Sequence, residues 1–295
     1  MTRACVWCGA PLGPSAVRQG GRIRCAACGA ATTDPWPSEE ELSGAYGTWY
    51  RPDSGRRFGP LGDGLLRRTR GSLAARLDAI APPGPVLDVG AGDGTLIDAL
   101  AERGRAATGL ERAATRPDLR DEPIEAMDGE WAAVVFWHSL EHLPEPGEAI
   151  RHAARLLAPR GVLVVAVPDG DSLQARAFGD RWLHLDPPRH LVHLTGGALT
   201  SGLERRGLRV ERVSSVRGGQ IAIGWLDGLV GSLPGGLNLY QALRRPEARS
   251  APLTRGQWTA ALAAGVVLLP VAAVAAAAEV ALRRSGTVYV EARRA

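Results

Sequence analysis

The chain has 295 residues, 45% of them hydrophobic and 22% charged, which leaves room for one full α/β domain and a small accessory module. Its net charge of +4 sets 35 basic residues, all arginine, against 31 acidic ones, and the wealth of alanine, glycine and proline beside them reads as coding bias. Arginine pairs such as Arg56-Arg57, Arg67-Arg68 and Arg205-Arg206 therefore read as solvated faces. With aromatic residues at 5% and no stacking pattern, no nucleic-acid partner is expected.

Two C-x-x-C pairs come first, Cys5/Cys8 and Cys25/Cys28, with sixteen residues between them. Cysteines paired this way argue for metal rather than disulfides, and each pair is followed by a glycine that lets backbone amides turn toward the thiolates. The spacing predicts a zinc ribbon over residues 1–33. Four cysteine ligands close the shell, so the Zn2+ would be structural. The start, Met-Thr-Arg-Ala-Cys, has no apolar signal core, and a cytoplasmic location is expected.

Residues 34–63 are rich in proline, glycine and aromatics and read as a linker with little regular structure. An α/β core would then occupy residues 64–217. Leu65, Leu66, Leu73, Leu77 and Ile80 recur at helical spacing before Pro82-Pro83-Gly84 ends the helix. Strands over 86–89, 106–110, 133–137, 161–167 and 208–216 alternate with helices over 95–103, 145–157 and 196–206. That alternation predicts a doubly wound parallel sheet, with a last strand at 286–295.

The strand at 86–89 runs into Gly90-Ala91-Gly92-Asp93-Gly94-Thr95, a turn bare enough for a ligand to approach the backbone at a helix N-terminus. The pattern is D-x-G-x-G-x-G, with Asp88 before the turn. It is not the dinucleotide fingerprint, because Thr95 stands where the third glycine belongs, which disfavours a nicotinamide oxidoreductase. Glu111 ends the next apolar stretch, where a carboxylate can hold the two hydroxyls of a ribose.

Together these residues resemble the S-adenosylmethionine site of class I methyltransferases. That resemblance implies a Rossmann-like, seven-stranded sheet and a cofactor site drawn from Asp88, Gly90, Ala91, Gly92, Gly94, Glu111 and Trp137. Phe136-Trp137-His138-Ser139-Leu140-Glu141-His142-Leu143-Pro144 follows a strand on the crevice side of the sheet. Its Glu-His-Leu-Pro part is similar to a loop of the quinone-biosynthesis O-methyltransferases, some of which hold a divalent metal with the Glu-His pair. Here His138 replaces the carboxylate three positions earlier, so a base or substrate-orienting role stands beside the metal. The run from Ala175 to Leu194, rich in Arg, Trp, His and Asp, resembles the methyltransferase-23 type, which often carries an N-terminal zinc ribbon. Its His184, His190 and His193 could bind metal, but Pro187-Pro188 and Arg189 favour a stiff, cationic acceptor loop. His138, Glu141, His142 and His190 are the candidate catalytic residues, with His142 or His138 as base.

Thr259 to Leu282 is apolar for 24 residues apart from Glu279, and Arg283-Arg284 follow. The length would span a bilayer, but the last strand must return to the sheet. Because Ile221 to Leu243 is also apolar, residues 218–285 read as a helical insertion, either interfacial on the cytoplasmic side of a membrane or packed on the domain or a second copy. The expected activity is methyl transfer to a hydroxyl or other nucleophile of a small-molecule, glycan or lipid-linked acceptor. A catalytically silent, cofactor-binding scaffold using the ribbon for contacts is the alternative, and oligomeric state is left open.

Overall fold

In the computed structural model the chain is described over residues 4–13, 16–47, 50, 57–114, 116–216 and 221–295. Residues 48, 49 and 51–56 of the expected linker, Arg56 among them, and residues 218–220 of the expected insertion lie outside the described residues. Three short strands come first, β1 (Val17–Gln19), β2 (Arg22–Arg24) and β3 (Ala31–Thr33), paired antiparallel in that order. They follow matching knuckles, in which the Gly9 and Gly29 amides donate back to the Cys5 and Cys25 carbonyls at 2.8 and 2.9 Å.

The stretch expected to be structureless contains a helix, α1 (Glu39–Ala45). Ser38 Oγ accepts from the Glu41 amide at 3.1 Å and the Glu41 carboxylate accepts from the Ser38 amide at 2.7 Å. That reciprocal cap satisfies two donors that a helix start leaves open, and it holds α1 although none of its residues is buried. Helix α2 (Pro60–Ile80) begins earlier than its apolar spacing predicts, because Pro60 is preorganised for a first helical position.

The core follows in alternation: β4 (Val86–Val89), α3 (Thr95–Ala101), β5 (Ala107–Leu110), β6 (Leu119–Arg120), β7 (Trp131–Trp137), α4 (Pro146–Leu156), β8 (Leu157–Pro168), α5 (Leu173–Phe178), β9 (Val192–His193), α6 (Gly196–Glu204) and β10 (Leu208–Ser214). Helices α7 (Ile221–Gly231), α8 (Leu239–Leu243) and α9 (Arg255–Ala281) lead to β11 (Thr287–Arg294). Seven strands form one sheet in the order β10-β11-β8-β7-β4-β5-β6. β4, β5, β6, β7 and β8 are parallel to one another, while β11 runs antiparallel to both β8 and β10. The sheet is thus mixed, parallel over the alternating segments and antiparallel at β11. Its Rossmann-like, doubly wound architecture is the expected one.

Helices α2 and α3 cover one face, burying Leu73, Leu77, Leu96 and Leu100 against Ala133, Val135, Val164 and Tyr289. On the other face, Ile150 of α4 and Leu199 and Leu203 of α6 pack on Val134, Phe136, Leu163 and Val165. The cysteine module joins that second core. Trp7 is 1% exposed, its indole donates to the Ala198 carbonyl at 2.8 Å, and Arg206 lies over its ring at 4.5 Å. A Cβ on Gly202 would stand 2.3 Å from Trp7, so this contact requires glycine on α6. β3 also pairs antiparallel with β9, which makes a loop of the larger domain the fourth strand of the small sheet.

Helix α9 is inside-out. Its single acid, Glu279, is buried and accepts from the Gln174 amide at 3.2 Å, from Gln174 Nε2 at 2.8 Å and from Trp225 Nε1 at 2.9 Å. Ala261, Gly265, Leu268 and Ala272 face α7 and α8. Val266, Val267, Leu269, Val271 and Val274 point outward, Val267 with 75% of its surface exposed.

Candidate active site

The turn after β4 sits at the carboxyl edge of the sheet. Gly90, Gly92 and Gly94 all have positive φ, a region closed to most side chains. Gly90 has a second reason to be glycine, since a Cβ there would stand 2.4 Å from Cβ of Ser139, whose hydroxyl donates to the Val89 carbonyl. Above Gly92 the space is open, with only the Arg57 guanidinium near, at 3.7 Å. Glu111, at the end of β5, accepts from the Gly92 amide at 2.5 Å and leans into the cleft.

A single cleft of about 1580 Å³ runs from this cradle to the histidine loops. Gly90, Ala91, Gly92, Glu111, Trp137, His138, Glu141, His142 and His190 all line it. Asp88 and Gly94 do not. Gly94 lies under the Arg116 guanidinium, and Asp88 is buried within β4 behind the turn. Burial pushes the Asp88 carboxyl up to about 7, with Glu111 and Asp93 adding to the effect and Arg70 opposing it. Arg70 of α2, absent from the sequence reading, lies over the Trp137 ring at 5.1 Å and lines the same wall.

At the far end, His138 takes a left-handed backbone conformation, φ 53°, which a non-glycine residue holds only when its surroundings fix it. This aims its Nδ1 at Glu141 Oε1, 3.6 Å away. Glu141 is 2% exposed, and neither of its oxygens has a hydrogen-bond partner among the described residues. Burial pushes its carboxyl up, but the His138, His190 and His142 imidazoles outweigh this and hold it down to about 2. His190 Nε2 approaches it to 3.9 Å, and the His142 and His190 rings meet edge-on at 4.6 Å. One ligand atom from each of Glu141, His142 and His190 lies within 4.8 Å of the others. The histidine trio named from the sequence is thus divided. His190 joins Glu141, while His193 pairs with Thr33 Oγ1 at 3.2 Å in β9 and His184 stacks on His138. Burial pushes His142 down to about 4 and both His184 and His193 down to about 3, so these three are neutral at pH 7.

The cysteine module borders this end directly. The Thr33 amide donates to the Leu191 carbonyl at 3.0 Å, Thr33 Oγ1 donates to the His190 carbonyl at 2.7 Å, and the Leu191 amide donates to the Glu141 carbonyl at 2.8 Å. Tyr46, which caps the C-terminus of α1, meets His142 Nδ1 at 3.0 Å. Nothing in the sequence signalled these long-range pairings. In the knuckles, the Cys5–Cys28 and Cys8–Cys25 sulfur pairs are 3.8 and 3.7 Å apart and all four sulfurs lie within 4.8 Å. A tetrahedron with metal–sulfur arms of about 2.3 Å has edges of about 3.8 Å.

A strand order with a reversed seventh strand, a glycine cradle after the first parallel strand and an acid after the second define a class I S-adenosylmethionine-dependent methyltransferase fold. A family model described as a methyltransferase domain matches residues 64–213, half of the chain, and the protein belongs to that family. A ubiquinone biosynthesis O-methyltransferase from Bordetella bronchiseptica is 28% identical over 144 residues, 41% of this chain and 56% of that protein. The protein of the same name from Paracidovorax citrulli is 35% identical over 106 residues, 29% of this chain and 44% of that one. The chain spans about half the length of the curated relatives it matches. Among solved structures, the CcbJ methyltransferase from Streptomyces caelestis covers 89% of this chain and 100% of its own, with 16% identity and a TM-score of 0.44.

Proposed function

We propose that the protein transfers a methyl group from S-adenosylmethionine to a hydroxyl of a small-molecule, glycan or lipid-linked acceptor. The observation that carries this reading is the continuous cleft that joins the Gly90–Glu111 cradle to the His138–His190 cluster. The cofactor would supply a methyl group already activated on a sulfonium, which leaves the protein the work of alignment and proton removal. Open backbone at Gly92 and the Glu111 carboxylate suit an adenosine and its ribose. Asp88 would act from behind the turn, through its charge.

His138 is the base we favour. It faces the cleft, and the Glu141 carboxylate at 3.6 Å would stabilise its imidazolium after proton transfer. His142 and His190 complete the wall. Glu141, whose carboxylate oxygens have no hydrogen-bond partner among the described residues and which lies beside the His142 imidazole that burial pushes down to about 4, favours a second reading of the same cluster. A divalent cation held by Glu141, His142 and His190 would compensate the buried carboxylate. Chelator dialysis followed by readdition of Mg2+, Mn2+ or Zn2+ decides between the two, since a base backed by Glu141 needs no metal. The activity itself is tested by acceptor-dependent release of S-adenosylhomocysteine from a panel of hydroxylated compounds. Cofactor binding without turnover on any of them would support a silent scaffold instead.

The cysteine set supports structural Zn2+. The module division that goes with this reading is a ribbon at 1–33, a connecting segment at 34–63, the core at 64–217, the helical insertion at 218–285 and the closing strand at 286–295, with α2 starting inside the connecting segment. We further place α9 flat on a membrane surface. From Ala260 to Leu282 every exposed residue of the helix is Ala, Val, Leu or Pro, whereas a protein–protein interface is enriched in aromatic and arginine anchors. Exposed Arg255 at one end and Arg283 and Arg284 at the other would meet anionic headgroups. Both ends are also tied to the domain, through Trp258 Nε1 on the Ala242 carbonyl and Glu279 on Gln174, which favours lying in the interface over crossing it.

A further inference from the structure

Three guanidiniums gather where the cleft meets the helical insertion. Arg57 and Arg189 both lie over the Tyr50 ring, at 5.1 and 4.6 Å, and Arg244 lies over Tyr240 at 5.6 Å. An antiparallel bridge between Phe58 and Arg244, with the Arg245 amide donating to the Arg57 carbonyl at 3.0 Å, holds two of them side by side. All three line the cleft, and Arg244 is only 3% exposed. Burial and the nearby Arg57 and Arg189 charges push the Arg244 guanidinium down from its usual range. Asp186 faces the group and is gripped by Arg189 through two nitrogens. Asp227 caps the Tyr240 amide at 2.8 Å, and burial pushes its carboxyl up. Asp63 faces Arg245 and the Phe58 amide.

Like charges concentrated in a half-buried cleft repel strongly unless an anion joins them. Guanidinium forks beside phenols match the geometry of phosphate oxygens. We propose that a phosphate group of the acceptor is held between Arg57, Arg189 and Arg244. This rests on the methyl-transfer reading of the cleft and names the acceptor class as a phosphoester. The Arg189 carbonyl contacts His142 Nδ1 at 3.1 Å, so an anchored phosphate orients the rest of the acceptor toward the histidine loops. Tyr240 belongs to α8, which packs on α9, and the site therefore lies beneath the helix assigned to the membrane.

The test is calorimetric titration of the full chain with inorganic pyrophosphate, after saturation with S-adenosylhomocysteine. Cofactor binding is read first, so failure of the methyltransferase reading is seen separately. Arg57 reaches Gly92, and the cofactor's own carboxylate could occupy it. The proposal therefore expects saturable, salt-sensitive pyrophosphate binding that survives cofactor saturation. Arg244→Met should weaken it about tenfold with S-adenosylhomocysteine affinity unchanged. If that variant does not fold, Arg189→Met is expected to show the same loss. Absence of pyrophosphate binding at millimolar concentration, or its disappearance once the cofactor site is filled, overturns the proposal. Vesicles separate the sources of the phosphate. For a lipid headgroup, Arg244→Met lowers binding to phosphatidylcholine vesicles containing phosphatidic acid and not to phosphatidylcholine alone. For a soluble phosphoester, it changes pyrophosphate binding and neither vesicle.

Discussion

Replacing Val267 with glutamate sets a carboxylate in the middle of the outward face of α9. Val267 is 75% exposed and touches little of the fold, so stability should change by no more than about 0.5 kcal/mol. Membrane binding should change far more. Val266, Val267 and Val274 each keep about three-quarters of their surface exposed, and Leu269, Val271 and Leu282 more than half. At about 1.5 kcal/mol or more for a fully buried aliphatic side chain, each contributes about 1 kcal/mol on docking, and the six about 6 kcal/mol before the cost of orientation. The substitution removes about 1 kcal/mol and adds about 2–3 kcal/mol for a charge near the hydrocarbon boundary. A total of about 3–4 kcal/mol is a drop of a few hundredfold in the bound-to-free ratio. Cosedimentation with phosphatidylcholine vesicles carrying a fraction of anionic lipid measures it. A wild type that stays in the supernatant at all lipid concentrations refutes the reasoning, as does a variant that pellets equally well. If the wild type instead self-associates without lipid and the variant does not, a second copy covers this face.

Three further outcomes are expected. Gly92→Trp fills the open space above the turn and forces a bulky residue into φ 64°, which should weaken S-adenosylhomocysteine binding by about a hundredfold or more, while Glu111→Ala costs about tenfold; calorimetry showing both unchanged would remove the site from this turn. Metal analysis should find one zinc per chain, and Cys25→Ser should lower zinc content and stability, with acceptor turnover falling more than cofactor affinity because β3 is paired with β9. Asp88 has a folded carboxyl near 7 against 3.8 when unfolded, so its contribution to stability is fully present below about pH 4 and is lost as pH rises through 7, by about 4 kcal/mol at most. Denaturant unfolding at pH 5 and pH 8 should therefore show a smaller loss for Asp88→Asn than for the wild type, and parallel losses would refute the assignment.

The parts of the fold that were legible in the sequence are those built from local pattern. Val86–Val89 is apolar except at Asp88 and leads into the glycines, and the strand has the predicted ends. β8 begins four residues before the expected 161 because Leu157 already pairs with Trp131 across a bulge, a contact with no local mark. β6 is two residues long with Leu119 as its sole buried member, too short for any periodicity. The orientation of β11 depends on a return path through three helices. In the site, the Gly turn, Glu111 and the Glu141-His142 pair could be read because strand ends carry them. Arg70, Tyr46, Tyr240 and Arg244 come from distant segments, and only folding brings them to the cleft. Ser38-x-x-Glu41 was a readable signal for α1, passed over amid proline and glycine.

The pairing of β3 with β9 limits how this protein can be taken apart. A chain lacking residues 1–33 would leave Val192 and His193 as an open strand edge with unmet amides and carbonyls, beside a vacated hydrophobic face on α6 where Trp7 had been. The methyltransferase-fold domain is therefore not a portable cassette. A β9 loop grafted from a chain without the cysteine module would arrive without the strand that holds it, and the cysteine module grafted alone would lack its fourth strand. Any reshaping of the β9 loop would therefore have to keep the two-residue seam that joins it to β3.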